Sequence, residues 1–108
     1  MKIPTSYAAA LSYLGNKQDR PAANNTRLIK REGGRIALRL HSTDIVTWNA
    51  DGSATLNTGG WRTVTTKSRI NAATSARLYQ KGGVWFHGDG HPFEDGDVID
   101  AEGGRIAR

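Results

Sequence analysis

The segment TRLIKREGGRIALRLHSTDIVTWNADGSATLN, residues 26–57, alternates apolar and polar side chains with the two-residue period of β-strands. Glycine-containing turns at 32–34 and 50–52 interrupt the alternation, as expected for hairpins. In residues 35–41 the apolar side chains would face a core and the arginines would face the other way. The pattern therefore predicts an antiparallel meander of four strands, over residues 26–31, 35–41, 44–49 and 53–57.

The periodicity changes on both sides of the meander. Residues 6–14 and 64–74 are predicted as short helices. We expect the second helix to be capped by Thr65 or Thr66 and anchored in the core by Ile70. Further strands are predicted over residues 76–81, 84–87 and 97–101, the first two joined at Gly82-Gly83.

These elements indicate an α+β fold that is mainly β. It would be a small antiparallel sheet or partly open barrel of about five to seven strands with one or two short helices. The length suits one domain over 1–108, with a helix and polar connector over 1–25, a β-rich core over 26–100 and a frayed tail over 101–108. The hexapeptide EGGRIA occurs twice, at 32–37 and 102–107. Since no longer repeat surrounds it, we interpret it as one turn sequence used twice.

Composition excludes several classes of function. The chain has no cysteine, which rules out disulfides, zinc–thiolate sites and thiol catalysis. Serines and tyrosines interrupt the short apolar stretch near the N-terminus, so it lacks the unbroken run of a signal peptide. No segment approaches the roughly 20 apolar residues of a membrane span. We expect a soluble cytoplasmic protein with no membrane partner.

Charge is unevenly distributed along the chain, whose formal net charge is +5. Residues 17–39 hold seven cations and two acids, and residues 62–81 hold five cations and no acid. Residues 89–102 hold six acids and no cation. Nucleic acid, or a protein complex that processes it, is the natural partner of the basic part.

The segment IALRLHSTDIVTWNADGSATLNTGGWRTVTTKSRIN (36–71), with RLYQKGGVWF (77–86) and PFEDGDVI (92–99), resembles a family of small accessory proteins encoded by tailed bacteriophages. The shared pattern is an LH-x-TD-V/I-V-T strand, a DG hairpin and GGW-x-T-x-TTK-x-RIN, then an aromatic hairpin and F-x-DG-x-x-I. The resemblance covers about residues 14–99. It implies a phage-encoded, non-virion accessory protein, without implying a particular activity. With the composition, we expect its location to be the host cytoplasm.

The leading candidate for a binding site is GGWRTVTTKSRIN, residues 59–71. Hydroxyl side chains and cations beside a helix start are the chemistry of a phosphate site, although the Walker A spacing is absent. Trp61 is a candidate for stacking, but a place in the core is the simpler interpretation of its role. The arginines of residues 35–41 add a cationic strand face that could follow a phosphate backbone. The predicted phosphate- or nucleic-acid-binding set comprises Arg35, Arg39, Arg62, Thr65, Thr66, Lys67 and Arg69.

Other aromatic and acidic residues are given structural interpretations. Most of the remaining aromatic side chains are expected to fill the core, with stacking on bases as the alternative: Trp48, Tyr79, Trp85 and Phe86. The stretch HGDGHPFEDGD, residues 87–97, has oxygen and imidazole ligands but neither EF-hand nor zinc-hydrolase spacing. We expect a mobile acidic loop, with no metal and no cofactor. Whether the basic face or the acidic segment 87–102 contacts a partner stays open.

No motif assigns a nucleophile, a base and an orienting group, so an enzyme is not expected. The leading hypothesis is a binding protein for counter-defence or host takeover that acts on nucleic acid or a host nucleic-acid-processing complex. One alternative is a sponge that sequesters a phosphorylated or cyclic-nucleotide signal. The other is a minor virion or assembly protein. Exposed strand edges and a small core would also allow oligomers.

Overall fold

The computed structural model describes residues 3–107, which form two α-helices and nine β-strands. The helices are α1 (Tyr7–Leu14) and α2 (Val64–Ala73). The strands are β1 (Asp19–Ala23), β2 (Thr26–Lys30), β3 (Ile36–Leu40), β4 (Thr43–Trp48), β5 (Ala54–Leu56), β6 (Tyr79–Lys81), β7 (Val84–Phe86), β8 (Val98–Ile99) and β9 (Arg105–Ala107).

Seven strands form one sheet in the order β1-β2-β3-β4-β5-β8-β9, and every neighbouring pair is antiparallel. The hairpin β6-β7 forms a separate two-stranded sheet. The mainly β, α+β fold predicted from the sequence is confirmed, and the large sheet is open, not a closed barrel. The predicted meander is present, with β2 to β5 pairing in chain order.

The polar connector predicted within residues 1–25 contains a strand that was not predicted, since residues 19–23 form the edge strand β1. Its sequence, DRPAA, lacks alternation and contains Pro21, which an edge strand tolerates because one side of its backbone needs no partner. Contacts with the rest of the fold stabilise it instead. Arg20 donates to the Tyr13 carbonyl oxygen at 2.7 Å, with its guanidinium 4.2 Å from the Tyr13 ring centroid.

The expected frayed tail over 101–108 is also wrong at residues 105–107, because β9 pairs with β8. Arg108 lies outside the described residues. Asp100 Oδ1 accepts from the backbone N–H groups of Glu102 and Gly104, both at 2.9 Å, which shapes the turn before β9. The second EGGRIA copy therefore performs the same task as the first, a turn that leads into a strand.

One face of the large sheet carries the core. Leu28, Leu38 and Val46 are fully buried there. The helices pack against this face, with Ile70 of α2 fully buried as predicted. The cap of α2 is Thr63 and not the predicted Thr65 or Thr66, since its Oγ1 accepts from the Thr66 N–H at 3.2 Å.

The two EGGRIA copies yield a matched prediction. Gly33 and Gly103 both have positive φ, +70° and +92°, but a Cβ would meet nothing at Gly33 and would overlap the Ser75 backbone carbonyl at Gly103. Gly33→Ala should lower the free energy of unfolding by about 1–2 kcal/mol through the left-handed backbone alone. Gly103→Ala should cost about 1–3 kcal/mol more through overpacking. Urea denaturation of both variants measures the difference, and equal losses would show that the tail is not docked at Ser75.

Candidate ligand-binding pocket

In an antiparallel meander, alternate connections fall at the same end of the sheet. The β1–β2 turn, the β3–β4 turn and the exit from β5 therefore lie together, at the end opposite the β2–β3 and β4–β5 turns. The His41 N–H donates to the Asn25 carbonyl oxygen at 2.8 Å, which joins the first two turns directly. Asn25 and His41 both adopt positive φ, near 55°, a conformation that side-chain-bearing residues rarely take and that clusters at functional sites.

A pocket of about 640 Å³ opens at this end of the sheet, and we call it the sheet-end pocket. Its volume lies within the range of small-molecule sites. Its walls come from the two hairpin turns, the segment after β5 and the first turns of α2. The lining residues are Asn24, Asn25, Leu40, His41, Ser42, Thr43, Ile45, Thr58, Trp61, Thr63, Thr65, Thr66 and Arg69.

Helix α2 presents its N-terminal end to the sheet-end pocket. Thr63, Thr65 and Thr66 supply hydroxyl groups, and the Thr63 and Thr66 hydroxyl oxygens are 3.1 Å apart. The N-terminus of a helix also carries partial positive charge from its aligned peptide dipoles. This wall offers neutral hydrogen-bonding groups in a weakly positive field.

Among the described residues that line the pocket there is no lysine and one arginine, Arg69. Its Nε–H donates to Thr26 Oγ1 at 3.2 Å, and that hydroxyl donates to the Asn24 carbonyl oxygen at 2.8 Å. Thr26 is almost fully buried, so the chain of bonds ties the guanidinium to the β1–β2 turn. None of the carboxylates of residues 3–107 lines the pocket.

The segment from Asn57 to Arg62, between β5 and the cap of α2, forms the outer wall. Asp95 holds its start, because one carboxylate oxygen accepts from the Thr58 N–H and hydroxyl, both at 2.8 Å. Gly59 follows with positive φ, and a Cβ there would lie 2.8 Å from Thr43 Oγ1. The segment is thus packed tightly against the β3–β4 turn.

Trp61 stands on this wall with 68% of its surface exposed. The expectation that it belongs to the core is therefore wrong, and the expectation of a side chain available for stacking fits its position. The segment that carries it is held at Thr58 and at the α2 cap, and neither anchor turns the indole inward. An exposed indole beside a pocket is a suitable surface for a planar ring.

The structure brings only part of the predicted binding set together. Thr65, Thr66, Arg69 and Trp61 line the sheet-end pocket, whereas Arg62 and Lys67 do not. The Arg62 guanidinium lies 5.2 Å from the Phe93 ring centroid, and Lys67 Nζ lies 5.7 Å from that of Trp85. These two cations cover core aromatics.

The predicted cationic strand face is the outer face of the large sheet, where β2 and β3 place Arg27 opposite Arg39. Arg27 pairs with Asp19 at 2.6 Å, and Arg31 pairs with Asp44 through bonds of 2.8 and 3.0 Å. The hydrogen bond with Asp44 raises the pKa of Arg31 above its ordinary value. Much of the positive charge of this face is therefore balanced locally.

Neither Arg35 nor Arg39 lines the sheet-end pocket. Arg35 lines a groove of about 560 Å³ at the opposite end of the sheet, together with Lys30, Arg31 and Asp44. Arg39 Nε donates to the His41 carbonyl oxygen at 2.8 Å. The predicted set is thus divided among the pocket, the outer face and the second groove.

The acidic segment is organised by specific hydrogen bonds. Besides Asp95, the fully buried Asp97 accepts from His87 Nε2 at 2.8 Å, in the tautomer that protonates this nitrogen, and from Arg105 Nε at 3.3 Å. No group of three or more potential metal ligands gathers among the described residues. Among them no helix is both long and apolar enough to cross a membrane.

Sequence reasoning missed the pocket residues outside the 59–71 segment. These are contributed by both hairpin turns and by the end of β5, and they include Asn24, Asn25, His41, Ser42, Thr43 and Thr58. The available signal was the alternation of turns in a meander. This alternation could not locate Asn24 and Asn25, because residues 19–23 were interpreted as part of a connector and the β1–β2 turn was therefore not predicted.

The comparisons with known proteins give one match. The family model described as Kyanoviridae Gp96 protein matches residues 2–100, which include every residue that lines the sheet-end pocket. No curated protein and no solved structure matches the chain. The expected tailed-phage family is thereby confirmed.

Tryptophan fluorescence tests the position of Trp61. Trp48 and Trp85 are nearly fully buried, so iodide should quench a minor fraction of the emission, and this fraction should come from Trp61. In Trp61→Phe the quenchable fraction should disappear, while the circular dichroism spectrum stays unchanged. A variant that keeps the same quenchable fraction would place the exposed tryptophan elsewhere.

Proposed function

The chain belongs to the Kyanoviridae Gp96 protein family, a family of bacteriophage proteins, and we propose that it is a non-enzymatic binding protein that captures a phosphorylated nucleotide in the sheet-end pocket. Such a protein would act in the host cytoplasm. By holding a phosphorylated or cyclic-nucleotide signal it would remove that signal from a host defence response. The purpose would be counter-defence.

The observation that carries this proposal is the chemistry of the pocket wall. One arginine, several threonines with a serine, and two asparagines line a space that none of the described carboxylates lines, with an exposed indole on its outer wall. Hydroxyls, amides and a guanidinium suit the phosphate and the polar edge of a base, and an indole suits its face. This combination favours a nucleotide over an uncharged or cationic ligand.

The residues around the pocket favour binding of a ligand without chemical conversion of it. His41, Ser42 and Asp44 are close in sequence, but Asp44 lines the second groove and is engaged by Arg31. A triad would need the carboxylate to orient the imidazole. We therefore assign no catalytic role to these residues, and a bound ligand would be released unchanged.

A ligand panel tests the proposal by thermal denaturation. The panel should contain nucleosides, nucleoside mono-, di- and triphosphates, cyclic mononucleotides and cyclic dinucleotides. A ligand present at about 100 times its Kd should add about 2.7 kcal/mol to the stability of the folded state. Arg69→Gln should weaken binding about tenfold or more, since one hydrogen bond to a charged group is lost.

Lys67→Gln is the matched control, because it removes a cation from the same helix that does not line the pocket. It should leave the affinity unchanged. Chromatography of the incubated ligand should recover it intact. If no member of the panel raises the melting temperature, the proposal is wrong, and recovery of a chemically altered ligand would show an enzyme.

The second candidate function is binding to nucleic acid or to a host complex that processes it. The specific observation in its favour is the row of arginines on the outer face, Arg27, Arg31 and Arg39, with Arg35 near its end. The ion pairs with Asp19 and Asp44 weigh against it. Exposed pairs of this kind contribute little energy and could be exchanged for phosphates.

A salt series measures this second function. Affinity for single- or double-stranded DNA or RNA should fall steeply with salt if several phosphates are contacted. The double variant Arg35→Gln/Arg39→Gln should then show a smaller slope, whereas Arg69→Gln should show the slope of the wild type. An absence of binding at low salt would exclude this function and leave the pocket as the site.

A further inference from the structure

We propose that the sheet-end pocket selects ligands with a single phosphate group beside one planar base, either a nucleoside monophosphate or a cyclic mononucleotide, over nucleoside triphosphates. This inference rests on the proposed function and narrows its ligand class. It follows from the number and placement of the positive charges around the pocket.

The first step is the count of charges at the wall. Among residues 3–107, Arg69 is the permanent cation that lines the pocket, and the remaining polar lining is made of hydroxyls, amides and His41. A phosphate monoester carries roughly 1.5 to 2 negative charges near neutral pH. One guanidinium, hydroxyl donors and a helix N-terminus suit a charge of that size. Among residues 3–107, the additional charges of a triphosphate would meet no second lysine or arginine in the lining.

The second step is that the neighbouring cations are held elsewhere. Arg62 and Lys67 flank the same helix start, yet Arg62 lies over the rings of Trp85 and Phe93 and Lys67 lies over the ring of Trp85. Arg35 is at the opposite end of the sheet, in the second groove. Arg39 donates to the carbonyl oxygen of His41 at 2.8 Å but does not itself line the pocket. The sequence positions of these cations suggest a polyphosphate site, whereas among residues 3–107 Arg69 is the lysine or arginine in the lining.

The third step concerns the base. Trp61 is the exposed indole of the pocket wall, and Asn24 and Asn25 of the β1–β2 turn are also lining residues. Amides can donate to and accept from the edge of a base, and the indole can stack on its face. Phosphate and base thus have separate recognition elements, on different walls of one pocket.

Calorimetric titration of the full chain tests the inference, with Trp61 fluorescence as a second readout. The probes are a nucleoside, its 5′-monophosphate, its 3′,5′-cyclic monophosphate and its triphosphate, each without metal and for each of the four bases. For the preferred base, at least one single-phosphate form should bind about tenfold or more tightly than the nucleoside and the triphosphate. The two single-phosphate forms distinguish an open from a cyclic ligand.

Each other result overturns the inference in a recognisable way. A triphosphate that binds as tightly as the single-phosphate forms would contradict the charge argument while leaving the nucleotide-binding function intact. Equal affinity for nucleoside and monophosphate would show that Arg69 does not bind phosphate. If no probe binds, the inference is wrong, and binding of a nucleoside diphosphate or a cyclic dinucleotide in the thermal-denaturation panel would show that the proposed function still holds.

A variant with added charge tests the same argument by gain of affinity. Thr65 lines the pocket, is exposed and lies in the first turn of α2, where Thr65→Arg should be tolerated. The variant should reduce the preference for the monophosphate over the triphosphate by about tenfold. A preference that is unchanged in a folded variant would mean that charge does not set the selectivity.

Discussion

Antiparallel pairing from β1 to β5 is the constraint on which the rest of the structure depends. It sets one face of the sheet against the helices and returns every second connection to the same end. Residues distant in sequence, such as Asn24, His41 and Thr58, are thereby brought to one place. The pocket is a consequence of strand order, since no single segment contains it.

The acidic residues near the C-terminus have a structural role in this arrangement. Asp95 fixes the segment that forms the outer wall of the pocket, and Asp97 holds His87 and Arg105 from inside the protein. A buried carboxylate such as Asp97 is costly unless donors satisfy its oxygens, and here His87, Arg105 and the Glu94 N–H do so. Asp95 and Asp97 of the acidic segment thus stabilise the structure around the sheet-end pocket.

The sequence predicted the strands of the meander, but it predicted neither strand β1 beside them nor the exposure of Trp61. Alternation in residues 26–57 predicted β2 to β5, because one face of each strand is buried and the period of two is visible. β1 shows no such alternation. It is stabilised by the ion pair between its Asp19 and Arg27 and by the stacking of its Arg20 on Tyr13, and its edge position tolerates a proline. Exposure of Trp61 was likewise beyond reach, because composition favours burial of an indole and only the tertiary position of the segment decides otherwise.

The edges of the large sheet have a consequence for association between chains. At one edge Pro21 removes a backbone donor from β1, and at the other β9 is three residues long and begins with Arg105. Short strands, prolines and charges at an edge oppose the addition of further strands. β9, which pairs with β8, also lies outside the family match, which ends at residue 100. The fold therefore limits growth of this sheet at both edges, which opposes aggregation through β-strand pairing.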